Sequence, residues 1–87
     1  MEKNIELKKS TRTQVWRENT SDRLEEVISR LEVWYMNELI GYIEGKNQNY
    51  RYYSADAKYF YGSEYCPKRR WAIQSLISEA KGIQVSL

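Results

Sequence analysis

Three consecutive cations, Lys68, Arg69 and Arg70, follow Pro67 in the sequence. Proline is typical of the first turn of a helix, so these cations stand where the helix dipole disfavours positive charge. Free backbone N–H groups and cations together bind anions, and phosphate is a natural ligand for such a site. The alternative is structural: Arg69 and Arg70 flank the apolar side of the predicted helix and pair with an acid such as Glu38.

Aromatic residues lead up to this cluster, because residues 49–70 hold six of the eight tyrosines and five of the fourteen cations. Two aromatic runs around a turn at 54–57 predict a β-hairpin, although Ser54 could instead cap a helical turn. One hairpin face carries four tyrosines, which suits the core or a protein contact. On the other face rings could stack bases, at about 1–3 kcal/mol each, while cations hold the backbone. The residues of that second face are Arg51, Tyr53, Lys58 and Phe60.

Two further sets extend the candidate binding surface. Trp71 falls on the polar side of the predicted helix, where a tryptophan is a candidate hot spot unless a loop covers it. Near the start of the chain, a basic arm could add phosphate contacts through Lys8, Lys9 and Arg12.

Catalytic chemistry has little support in the sequence. The chain has no histidine, so it lacks the usual proton shuttle near neutral pH. It shows no metal-ligand cluster, glycine-rich phosphate loop or nucleophile elbow. Cys66 has cations and a predicted helix start beside it, which would lower the pKa of its thiol, but it has no base partner. We therefore expect no enzymatic activity, no metal and no cofactor.

The most regular pattern lies in residues 22–44. Asp22 and Glu25 resemble a capping box, and Gly45 suits a helix end. Apolar residues recur between them at helical spacing and predict one long central helix, with Glu38 inside its main apolar stripe. That stripe consists of Leu24, Val27, Ile28, Leu31, Trp34, Tyr35, Leu39 and Tyr42.

The second half of this predicted helix has a second apolar face. A surface helix in a monomer needs only one stripe. Either the chain covers the helix on both sides, or a second copy does so in a homodimer. The candidate dimer seam consists of Val33, Met36, Ile40 and Ile43.

A second helix is predicted from Pro67 to about Lys81, and Gly82 is its stop signal. Its expected buried face consists of Ile73, Leu76, Ile77 and Ala80. At the ends of the chain, alternating apolar residues indicate two weak strands. They are Ile5 and Leu7 in one strand and Ile83, Val85 and Leu87 in the other.

These elements predict a small single-domain α+β protein with a long central helix, a β-hairpin and a second helix. With both terminal strands the order is β-α-β-β-α-β, that of ferredoxin-like folds. Residues 1–21 are expected to be a basic arm or an edge strand, and residues 22–87 the α+β core domain.

Charge and composition limit the possible locations and partners of the protein. The net charge of +2 combines an acidic segment, residues 22–45, with basic segments on either side of it. One cysteine excludes an internal disulfide, and no signal or membrane-spanning stretch is visible, so the expected location is the cytoplasm with no membrane partner.

The expected function is a small non-catalytic protein that binds nucleic acid through residues 50–71. The alternative is an inhibitor or adaptor, of the kind phages and mobile elements encode, that acts in the host cytoplasm on a protein target. Phosphate contacts lose affinity steeply with salt and an apolar protein interface does not, so salt dependence separates the two.

Overall fold

A computed structural model describes residues 4–16, 24–55 and 66–85. It shows a four-stranded antiparallel sheet with one helix packed against one face. The elements are β1 (Ile5–Trp16), β2 (Leu24–Tyr35), β3 (Glu38–Lys46), β4 (Asn49–Ser54) and α1 (Arg69–Lys81). The strand order is β1-β2-β3-β4, so every strand pairs with its neighbour in the chain. The predicted ferredoxin-like order is therefore wrong.

The predicted long helix over residues 22–44 is also wrong, because residues 24–46 form β2 and β3. Met36 and Asn37 turn the chain between them with φ values of 51° and 65°. Positive φ at both residues is the pattern of a type I′ hairpin turn. Asn37 tolerates this conformation, whereas at Met36 it costs about 1–2 kcal/mol. Residues 24–43 are rich in β-branched and aromatic side chains, which favour a strand once such a turn is available.

A bulge in β3 fits the sheet to the helix. Val33 lies opposite Gly41 while Trp34 lies opposite Leu39, so Ile40 is the extra residue. A bulge bends its strand and increases the local twist. Ile40 is buried in the core as a result.

The core lies between α1 and the sheet face that it covers, called here the inner face. From the helix, Leu76 and Ile77 are fully buried and Ile73 nearly so, as the sequence predicts. Gly82 ends α1 with φ 69° and donates its N–H to the carbonyl oxygen of Ser78, at 2.8 Å. The sheet contributes Ile5, Val33, Tyr35, Ile40, Ile43 and Tyr52.

The predicted dimer seam does not exist as a surface. Val33, Ile40 and Ile43 are buried against α1 by their own chain, and Met36 is exposed in the turn between β2 and β3. The helical wheel that grouped the four residues does not apply, because residues 33–43 lie in β2, a turn and β3. Likewise, residues 83–85 form no strand, and Leu87 lies outside the described residues.

The first predicted strand and the predicted hairpin differ from the observed strands in length or partner. Residues 5–16 form β1, a long strand at the edge of the sheet. Tyr50–Tyr53 lies within β4, which pairs with β3. Its expected partner strand, with Lys58 and Phe60, lies outside the described residues.

The hairpin of β1 and β2 extends beyond the rest of the sheet. β3 pairs only with the second half of β2, from Arg30 to Tyr35. Residues 11–16 and 24–29 therefore form a two-stranded extension, called here the β1–β2 ribbon. Leu24 and Val27 on this ribbon are 53% and 67% exposed.

Candidate functional site

The two faces of the sheet separate the predicted binding residues into two groups. Side chains alternate between faces along a strand. The face opposite α1, called here the outer face, carries Lys8 and Arg12 on β1 and Arg51 and Tyr53 on β4. Lys9 lies on the inner face, the side of the sheet on which α1 packs. The predicted single surface that joins Arg51 and Tyr53 to residues 68–71 is therefore not formed.

Charged side chains of the outer face are largely neutralised within the protein. Arg12 donates from Nε and Nη2 to the two carboxylate oxygens of Glu44, at 2.6 and 2.9 Å. This bidentate bond raises the pKa of Arg12. Arg30 lies 3.9 Å from the same carboxylate and stacks 3.6 Å from the ring centre of Tyr42. Glu44 is buried, so it holds both guanidinium groups against the sheet.

The rest of the outer face is similarly occupied. Lys8 Nζ lies 4.3 Å from the ring centre of Trp34 and 3.9 Å from a carboxylate oxygen of Glu6. Trp34 Nε1 donates to Glu32 at 3.0 Å. Arg51 and Tyr53 are half-buried and are themselves engaged in polar or ring interactions. The outer face therefore offers few uncommitted cations to a ligand.

The start of α1 has a different electrostatic character. Lys68, Arg69 and Arg70 are exposed, and the first turn contains no acid and no side-chain cap. Within residues 4–16, 24–55 and 66–85 none of the three forms an ion pair with a carboxylate. Trp71 is 45% exposed, and Lys68 Nζ lies 5.3 Å from the centre of its ring. This set of four residues is called the basic cluster below.

Glu38 does not neutralise the basic cluster. The structural alternative made Arg69 or Arg70 its partner, but Glu38 is exposed at the start of β3 and pairs with Lys81. Lys81 is the last residue of α1. The acid therefore lies at the opposite end of the helix from the basic cluster, where a cation is favoured by the helix dipole.

A groove of about 900 Å³ opens on the inner face beside the basic cluster. Leu31 and Ile43, which are paired across β2 and β3, lie in it. Lys9 on β1 and Arg69 on α1 also line it, and Tyr50 belongs to the lining on β4. This basic groove, defined by these five residues, brings together two cations that are 60 positions apart in the sequence.

Cys66 is not an activated thiol. It is half-buried, and burial raises the pKa of its thiol, whereas the sequence predicted a lowered one. Its backbone exchanges two hydrogen bonds with Tyr50, at 3.0 and 2.8 Å. The residue therefore fixes the chain before α1 to the edge of β4. Among the described residues no group of potential ligands could hold a metal ion.

Tyr52 is a buried core residue whose hydroxyl donates to Glu79 of α1, at 3.1 Å. Burial, followed by this bond to a carboxylate, raises the pKa of Tyr52 from 10.0 to about 12. Between these two values the unfolded chain loses the tyrosine proton while the folded chain keeps it. The Tyr52 contribution to stability is therefore complete below pH 10 and is lost as the pH rises toward 12.

We expect Tyr52→Phe to flatten this alkaline loss of stability. A pKa shift of about two units corresponds to roughly 2–3 kcal/mol. Between pH 9 and about pH 12, the free energy of urea unfolding should therefore fall by about that much more in the wild type than in the variant. At neutral pH the variant should be less stable by about 1 kcal/mol, for the lost hydrogen bond. Equal alkaline losses in both proteins would show that Tyr52 ionises normally.

Comparison with protein-family models, curated proteins and solved structures gave no significant match. The site must therefore be interpreted from its own geometry and charge. Within the described part of the chain, no helix combines the length and apolar character that crossing a membrane requires.

Proposed function

We propose that this protein binds nucleic acid through the basic cluster and the basic groove beside it. The observation that carries the proposal is the contrast between the two sides of the molecule. Outer-face cations are held by Glu44, Trp34 or Glu6. By contrast, in the described residues no acid pairs with the cations at the start of α1.

Cations that have no acid partner among the described residues, beside the first N–H groups of a helix, are suited to phosphate. Trp71 N–H and Ala72 N–H donate to the carbonyl oxygen of Lys68, at 3.1 and 3.2 Å. The N–H groups of Arg69 and Arg70 precede these first helical bonds and have no side-chain cap. They lie at the positive end of the helix dipole, which favours an anion. The exposed ring of Trp71 adds a surface on which a sugar or base could pack. We assign the protein no catalytic step.

The test is the salt dependence of oligonucleotide binding, measured by fluorescence anisotropy. Arg69→Gln should reduce the slope of log affinity against log salt by about 0.7–0.9, the value for one phosphate contact. Lys81→Gln is the matched control, because it removes the same charge from the other end of α1, where Lys81 pairs with Glu38. It should leave the slope nearly unchanged.

Two outcomes would contradict the proposal. One is the absence of oligonucleotide binding by the wild type at low salt. The other is an equal effect of Arg69→Gln and Lys81→Gln, which would mean that only net charge matters.

A protein target is the second candidate function, and the β1–β2 ribbon favours it. Leu24 and Val27 are exposed on a part of β2 that β3 does not reach. A projecting strand of this kind can add a strand from a partner. Binding there would be insensitive to Arg69→Gln, because Arg69 lies on α1 beside the groove, so the same variant separates the two functions.

A further inference from the structure

We propose that the basic groove accepts unpaired nucleotides, so that the ligand of this protein is single-stranded rather than duplex nucleic acid. The inference rests on the proposed function and specifies its ligand. It depends on the apolar floor that Leu31, Ile43 and Tyr50 form within a lining that is otherwise largely polar or charged.

The floor is built from residues of adjacent strands. Leu31 lies opposite Ile43, and both point to the inner face, where Ile43 belongs to the core and Leu31 packs against it. Tyr50 contributes a half-buried ring from β4. Gly45, opposite Tyr50, also lines the groove and adds no side chain to fill it. The ligand of such a floor needs an exposed apolar or aromatic surface.

A duplex offers little such surface, because the faces of its bases are stacked inside and only base edges are exposed in the grooves. A single strand exposes the faces of its bases, which pack on aromatic and apolar side chains. The groove volume of about 900 Å³ lies within the range of small-molecule binding pockets, about 300–1,000 Å³. It is therefore suited to one or a few nucleotides.

The charges lie where the backbone of a single strand would need them. α1 packs over β3 and β4, so Arg69 flanks the floor on one side. Lys9, opposite Leu31 on β1, flanks it on the other. In the described residues neither cation has a carboxylate partner. Thr11 and Ser29, which are paired across β1 and β2, add hydroxyl groups that can bond to a base edge or a sugar.

The first arm of the experiment changes the ligand. Fluorescence anisotropy compares one labelled oligonucleotide as a single strand, as a duplex with its complement, and as an abasic strand with the same number of phosphates. We expect the single strand to bind at least about tenfold more tightly than the other two, since a stacked base contributes about 1–3 kcal/mol.

The second arm changes the protein at two neighbouring lysines. Lys9→Gln and Lys8→Gln remove the same charge from adjacent exposed residues, but Lys9 lines the groove and Lys8 lies on the outer face over Trp34. Lys9→Gln should lower the salt slope for the single strand by about 0.7. Lys8→Gln should leave it unchanged.

The outcomes separate the inference from the proposed function. If the duplex or the abasic strand binds as tightly as the single strand, the inference is overturned and nucleic-acid binding stands. Equal effects of the two lysine variants would also overturn it. If no oligonucleotide binds, the proposed function fails and the inference fails with it.

Discussion

Gly41→Ala should unfold the protein or lower its melting temperature by at least about 12 °C. Gly41 lies in the bulged part of β3, directly under α1. A Cβ at this position would lie 2.2 Å from the carbonyl oxygen of Tyr53 and 2.7 Å from Cδ1 of Leu76. A methyl group that cannot fit without moving the backbone should cost about 3 kcal/mol or more. In a domain of this size each kcal/mol lowers the melting temperature by about 4–8 °C.

Two comparisons show which contact is responsible. Gly82→Ala adds the same methyl group at a helix end where nothing lies within 4 Å, so it should cost only about 1 kcal/mol for the left-handed backbone. Leu76→Ala removes the side-chain clash but not the clash with the carbonyl oxygen of Tyr53. Because Leu76 is fully buried, its removal alone costs about 2–5 kcal/mol, so the double variant should lose about the sum of the two single losses. A clearly smaller loss would assign the effect of Gly41→Ala to Leu76. A Gly41→Ala protein that melts within a few degrees of wild type would contradict the close approach of β3 and β4 at this residue.

Glu44→Gln should destabilise the protein by about 3 kcal/mol. The carboxylate is buried and holds Arg12 by two hydrogen bonds, and Arg30 lies on its other side. Removing one partner of a buried ion pair leaves the other charge uncompensated, at a typical cost of 3–5 kcal/mol. We expect a value at the lower end because the Arg12 side chain is 29% exposed. Urea unfolding followed by circular dichroism measures the loss.

Removing a partner cation is the control for Glu44. Arg12→Gln in the Glu44→Gln background removes one of the two uncompensated cations, so the double variant should be more stable than Glu44→Gln alone. Glu6→Gln changes a carboxylate that is 60% exposed beside Lys8, and it should have an effect within about 0.5 kcal/mol. Additive losses at Arg12 and Glu44 would mean that the two side chains do not act as a pair.

Sequence alone predicts α1 well and the sheet poorly, for identifiable reasons. Gly82 ends α1 as predicted, whereas the helix begins at Arg69, two residues after the predicted start at Pro67. The apolar spacing is clear between these ends. In residues 24–44 apolar side chains occupy both faces of β2 and β3, so the pattern satisfies a helical period as well as a strand period. Asn37 was the residue that indicated a turn between two strands, because asparagine tolerates the left-handed conformation. Its neighbour Met36 is rare in such a turn, so the pair Met36–Asn37 did not match the usual hairpin sequences.

The sequence predicted only the part of the site whose residues are adjacent in the chain. Lys68, Arg69 and Arg70 are consecutive, so a sequence pattern finds them. The basic groove depends on which residues of β1, β2 and β3 lie opposite one another, and it places Lys9 in the groove and Lys8 outside it. The bond between Arg12 and Glu44 joins residues 32 positions apart. Neither relation has a signature in the one-dimensional sequence.

The order of the elements along the chain has a consequence for biosynthesis. All four strands leave the ribosome before α1, and each pairs with its neighbour, so the sheet can begin to form on the nascent chain. Among the described elements, α1 is the one that covers the inner face. Until Arg69–Lys81 has emerged, Val33, Ile43 and Tyr52 are presented to the solvent as an apolar surface. A translation pause just before α1 would therefore expose a ready substrate for chaperones and proteases.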